Sequence, residues 1–350
     1  MYKTTSFKLA LLSPTFLGDA NQSAAWRSPP FKALLREWWR VAAASAHRHS
    51  HEALRYTEGV LLGNAWLDSG ATQSKVRISL EHWKTGTATT LGEDVAVRHP
   101  EIGETGRLVG SQLYLGYGPI TYDKASKKSK LKANAALQAN ETNTLDLAWP
   151  SEHDPILSQT VQLIDWFGTM GGRSRNGWGS VSLVGLKLKP LTATASELTA
   201  VLRDLKDCLQ LDWPHALGKD QSGALIWESK DTFADWKAAM TFLAKLKIGF
   251  RTALKFTTGN YSRIVEGRHT LAYPVTHHSV SAWGGQARLA NQLRFKLFLD
   301  PSGKLKARIF HTPHKCPLPI TNSLNQLTVW QSIHQWMDQQ PTLQRLKVSS

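Results

Sequence analysis

The order of residue patterns predicts an α+β fold built around antiparallel sheets. Short alternating stretches, read as strands, are interspersed with longer apolar stripes at helical spacing, and loops rich in glycine or lysine separate them. With 350 residues, 41% hydrophobic and 20% charged, the chain is long enough for two folded domains. A break at Pro190–Ser196 sets the expected boundary, giving domains 1–190 and 191–350.

Phe7–Leu12 reads as a first strand, ended by Pro14 and Gly18. Phe16–Gln22 follows as a polar loop. Ser28-Pro29-Pro30 is a helix start, with serine as the cap and proline in the first turn. The helix runs from about Phe31 to Ala46, and Phe31, Leu34, Leu35, Trp38, Val41 and Ala42 define its buried face. Lys32, Arg36 and Arg40 make a basic row beside that face, with Arg27 just ahead of it. Such a row is either solvated or lines a phosphate track; Glu37, the one acid on the helix, leaves most of it without a local counter-charge.

A short helix over Glu52–Leu61 and strands at Ser74–Glu81 and Leu108–Tyr117 come next, with Thr85–Thr105 as loop. Lysine-rich Ala125–Lys132 reads as an exposed loop. Leu145–Trp149 is a strand and Asp154–Phe167 a helix. The second half opens with a helix over Ser196–Leu211 and another over Phe233–Lys247, closely followed by Arg251 and Lys255. Strands are expected at His269–His277, Arg288–Leu299 and Lys306–His311, and a final helix at Leu324–Asp338. No close internal repeat is visible, although both halves fit the same α+β plan.

The stretch Asp165–Val181, DWFGTMGGRSRNGWGSV, carries the strongest functional signal. Gly171 and Gly172 permit close approach of another molecule. Arg173 and Arg175 offer planar forks for phosphate oxygens. Trp178 offers a ring on which a base stacks. The plain alternative is a helix-to-strand connection with solvated charges. The loop holds no lysine, so it is not a G-x-x-x-x-G-K-[ST] phosphate loop. The dinucleotide fingerprint needs a strand before and a helix after, the reverse of the order here.

A net charge of +15 and a pI near 9.8 point to a polyanionic partner. Cys208 and Cys316 stand far apart and without metal spacing, as in a reducing, cytoplasmic setting. No apolar run approaches the roughly 18 residues of a membrane span, so no membrane partner is expected.

Leu12–Ala42 resembles the opening of RAMP-superfamily proteins of CRISPR effector complexes, most closely the subfamily of the first-numbered subunit of the type III-B (Cmr) complex. The resemblance lies in Pro14 to Gly18, Arg27 to Pro30, Lys32 to Arg40 and the glycine-rich Gly171–Gly179. Leu62-Gly63-Asn64, Ser74-Lys75-Val76-Arg77 and Gly267-Arg268 with Pro274 extend it. Ala33 stands where the family commonly has glycine. The resemblance implies two ferredoxin-like (RRM-like) domains with long loop insertions. It also implies binding of crRNA and target RNA at the crRNA 3′ region, alongside other RAMP subunits. Arg27, Lys32, Arg36, Arg40, Gly171, Gly172, Arg173, Arg175 and Trp178 are the candidate RNA contacts, with no cofactor.

RAMP proteins also include metal-independent endoribonucleases that process crRNA, so catalysis is the rival expectation; a purely structural assembly subunit is a third. Cleavage would draw on histidine as acid or base, and His47, His49 and His51 cluster in this sequence of 13 histidines. His277-His278 is read as a surface pair. Asp19 is the acid best placed for metal-assisted chemistry, but no second acid lies close to it. The expectation is a non-catalytic protein without a metal site.

Overall fold

A computed structural model describes residues 1–18, 23–65, 70–103, 106–132, 136–185 and 188–348. Asp19 lies outside the described residues. In the first half, strand β1 (Tyr2–Leu11) leads to helices α1 (Ser28–Ala43) and α2 (His51–Leu62), then to β2 (Arg77–Leu80). An insertion follows, with hairpin β3 (Ala96–His99) and β4 (Arg107–Gly110), helix α3 (Ser111–Gly116), and hairpin β5 (Ile120–Asp123) and β6 (Lys128–Leu131). Strand β7 (Thr142–Pro150), helix α4 (Asp154–Phe167) and β8 (Val181–Val184) complete it. The main sheet has the order β2-β7-β1-β8, every pair antiparallel.

The second half begins with α5 (Ser196–Thr199), β9 (Leu202–Asp204), α6 (Leu205–Cys208), β10 (Leu217–Asp220) and β11 (Gly223–Ala224). There follow β12 (Ile226–Ser229), α7 (Trp236–Ala253), α8 (Gly267–Leu271), β13 (Leu293–Leu299), β14 (Leu305–His311), α9 (Gln326–Asp338) and β15 (Leu343–Arg345). Its main sheet runs β13-β14-β12-β15, again antiparallel throughout. Setting insertions aside, each half reads strand, helix, strand, strand, helix, strand. In each, the first strand lies beside the third and the fourth.

Helix α1 forms where its apolar spacing requires, with all six expected core residues buried. Its cap differs: Arg27 is the extended residue before the helix and Ser28 is the first helical residue, with no side-chain cap. Helix α3 replaces the second part of the expected strand Leu108–Tyr117. Asp94, well upstream, accepts the backbone N–H groups of Gln112 (2.7 Å) and Leu113 (3.1 Å), supplying a cap no local pattern reveals. Lysine-rich Ala125–Lys132 includes a strand, β6, whose Lys130 pairs with Asp123 at 2.9 Å. The expected helix Ser196–Leu211 is interrupted by β9, which pairs in parallel with β10. The expected strand His269–His277 begins instead inside α8, with Glu266 binding the amides of Thr257 and Thr258.

The two large cores are not confined to one half each. The core under α1 and α4 takes in Leu217, Ile226 and Phe310, and the core under α7 and α9 takes in Leu12, Leu115 and Trp178. Across the seam, Arg294 pairs with Glu37 and stacks over Trp38 and Phe310, each ring centre 5.4 Å away. The free carbonyls at the end of α4 accept from the far half as well. Lys296 Nζ donates to Ile164 and Asp165, and Arg308 to Trp166 while it pairs with Glu228.

Candidate nucleic-acid interface

The glycine-rich loop is wedged between the Pro14–Leu17 turn and the second half. Gly172 N–H donates to Phe16 O (2.9 Å) and Gly179 N–H to Pro14 O (3.1 Å). Gly179 has φ +64°, and a β-carbon on it would lie 2.0 Å from Met170 O. Gly171 has φ +85°, and a β-carbon there would lie 2.7 Å from Phe16 O. These glycines let one segment of this chain press against another, a use of glycine that the sequence does not separate from room for a phosphate.

Trp178 corrects the sequence reading. It is fully buried, packed against Phe16 at 5.0 Å and Trp236 at 5.8 Å, and shows no ring face to solvent. Its burial and ring contacts make it a core residue, not a stacking platform.

The helix row is also different from expectation. Arg36 and Arg40 both pair with Glu58 of α2, which is buried, and Arg36 further donates to the carbonyls of Leu62 and Gly63. Their hydrogen bonds hold the Glu58 carboxyl below the usual carboxylate range despite its burial. The counter-charge absent from α1 is supplied by the next helix. Lys32, Arg36, Arg40 and Arg55 nonetheless line one cavity of about 720 Å³, with burial drawing the Lys32 ammonium pKa down. Arg27 donates to Gly18 O and lines a separate cavity of about 350 Å³ with Ala33, Glu37 and Gly171. The candidates therefore fall at three places.

The third place is the most basic. A cleft of about 780 Å³ is lined by Arg173, Arg175, Lys247, Arg251 and Arg288, and among the described residues no carboxylate lines it. Lys247 and Arg251 lie one turn apart on α7; sequence spacing showed them as a basic tail of that helix, but not that the glycine loop would face them. Asn176 fixes the arrangement. Its Oδ1 accepts from Lys247 Nζ (2.7 Å) and Asn291 Nδ2 (2.8 Å), and its Nδ2 donates to Leu115 O (2.7 Å). Arg175 donates to Asn291 O (2.9 Å).

Burial pushes the Arg175 pKa down to about 10, and burial beside Arg251 and Arg173 pushes that of Lys247 well below the lysine range. Arg251 is likewise lowered by burial, and its guanidinium makes no hydrogen bond or ion pair among the described residues. Glu101, whose charge reaches Arg251, is held by both terminal nitrogens of Arg268 (2.5 and 2.6 Å). Tyr117 stands at the cleft with 67% of its surface exposed, an aromatic face the sequence reading passed over.

His47 is engaged by Ala43 O and Thr57, and His49 meets His215 edge-on. No group of three metal-binding side chains converges among the described residues, and no helix of the described chain is long and apolar enough to cross a membrane.

The arrangement of two α+β halves, each around an antiparallel main sheet, is a fold shared with solved chains of the Cmr type. The likeness is to a chain of the type III-B Cmr-beta complex bound to cognate target RNA, at 12% identity and TM-score 0.51, covering 94% of this chain and 98% of that one. A second state of Cmr-beta, with target RNA and AMPPnP in the presence of ssDNA, gives 12% identity and TM-score 0.50 over 96% and 98%. Apo Cmr1 from Pyrococcus furiosus aligns over 99% of both chains at 14% identity and TM-score 0.48. No family model matches the sequence, and no curated protein matches it.

Proposed function

We propose that this chain is a non-catalytic, RNA-binding subunit of a type III-B-like, RNA-guided effector complex, built from two ferredoxin-like domains meeting near residue 190. In this reading it contacts the crRNA 3′ region or captures target RNA, beside other RAMP subunits. The observation that carries the reading is the cleft between Arg173, Arg175 and α7, where five cations converge with no lining carboxylate among the described residues. Lysine and arginine so placed neutralise phosphates irrespective of base sequence. The shared fold with Cmr-beta chains supports the assembly context.

The test is a salt titration of single-stranded RNA binding. Replacing the exposed Arg173 and Arg288 with alanine together should lower affinity and reduce the salt slope by about 0.7 for each phosphate that is no longer neutralised. Unchanged affinity and slope in a folded double variant overturn the assignment of the cleft. Cutting of guide or target RNA by the purified chain, abolished by replacing His47, His49, His51 or Asp19, would establish a nuclease instead.

A further inference from the structure

The cleft is graded from mouth to floor. Arg173 and Arg288 are exposed at its mouth, while Lys247 is buried and Arg175 and Arg251 are largely so. The Lys247 amine spends one bond on Asn176 and retains capacity for other acceptors. Arg251 holds a full set of donors with no partner among the described residues. Glu101 is engaged by Arg268, so cations withdrawn this far from water have no anion bonded to them directly among the described residues, a costly arrangement that an anion arriving from outside would relieve.

A running RNA backbone meets the exposed mouth of that cleft more readily than its buried floor. An internal phosphate is tied to a sugar on both sides, so it stays at the mouth unless the strand folds sharply inward. A terminal phosphate has one ester link, three free oxygens and a charge of about −1.5 to −2. It alone can descend to the floor while its sugar and base remain above. Tyr117, exposed on the cleft wall, then offers a ring to the last base.

Resting on the RNA-binding reading above, we infer that the floor of this cleft, formed by Lys247, Arg251 and Arg175, receives the terminal phosphomonoester of an RNA strand. Phosphate at either end supplies the same chemistry. The test compares strands of one sequence carrying a 3′-phosphate, a 5′-phosphate or only hydroxyl ends. One phosphorylated strand should bind about tenfold or more tighter than the hydroxyl-ended strand, the scale of charge-assisted hydrogen bonds gained by a buried anion. Which strand it is names the end. Inorganic phosphate should compete away the preference.

Arg251→Gln should bring the ratio to one, and Arg251→Lys, which keeps the charge, should retain part of it; melts confirm that each variant is folded. Equal binding of all three strands by the native chain overturns the inference and leaves the RNA-binding reading standing. A preference that persists in folded Arg251→Gln also overturns it. Failure of every strand to bind overturns both.

Discussion

Arg36 shows how a single side chain carries two interpretations. At the sequence level it is one of three evenly spaced cations; in the structure it is the partner of buried Glu58 and the cap for two carbonyls ending α2. Arg36→Gln should therefore cost about 1–3 kcal/mol in denaturant unfolding, because a buried acceptor loses a charged donor. Lys32→Gln, at a side chain with no such partner among the described residues, should stay within about 0.5 kcal/mol. Equal melts for the two would remove the structural role from Arg36. Trp38, buried between Phe167 and Phe310, should cost about 3–5 kcal/mol when cut to alanine. Gly179→Ala should be strongly destabilising, since its left-handed backbone and the Met170 carbonyl both oppose a side chain.

At the scale of elements, the parts legible in sequence are those whose pattern is local. Helix α1 declares its buried face, α4 and α9 fall close to their expected bounds, and β1, β7, β13 and β14 alternate or run apolar. What stays hidden depends on distant partners: the Asp94 cap of α3, the β9–β10 pair, and Glu58 opposite the α1 row. The candidate site follows the same rule. Arg173 and Arg175 are visible as charges, while Lys247, Arg251 and Tyr117 become part of one cleft only when folding brings them together.

Strand β14 and helix α9 add a pH dependence. His311 Nδ1 and His334 Nε2 lie 3.0 Å apart, fully buried beside Trp330. Burial drives the His311 pKa well below the ordinary value and that of His334 to about 3, while His215 and His314 are pushed to about 4. The unfolded chain takes up these protons near pH 6.5, so it binds more of them below that pH and stability falls on acidification. Between pH 6.5 and 5 each such histidine should remove about 1.5 kcal/mol. Urea midpoints at the two pH values measure the loss, and His334→Gln should make the slope shallower.

For the whole molecule, the seam decides what counts as a unit. Division at 190/191 separates Phe310 from the core of α1 and Trp178 from that of α7. Residues 1–190 expressed alone should aggregate or bind a dye for exposed apolar surface, and co-expressed halves should be recovered together. A soluble, cooperatively melting 1–190 fragment would show that the first core closes without the second.

The plugs at the end of α4 bear on how the cleft meets its ligand. Lys296, whose pKa burial lowers to about 7, and Arg308 lock the second sheet to α4, while Phe295 N–H binds Arg175 O at 3.1 Å. Joined at these points, the halves are tied against swinging like covers of a book. On the RNA-binding proposal, the cleft would then act as a calliper set before the strand arrives: little ordering would remain to be done on binding, and a ligand that does not fit its span would be refused rather than embraced.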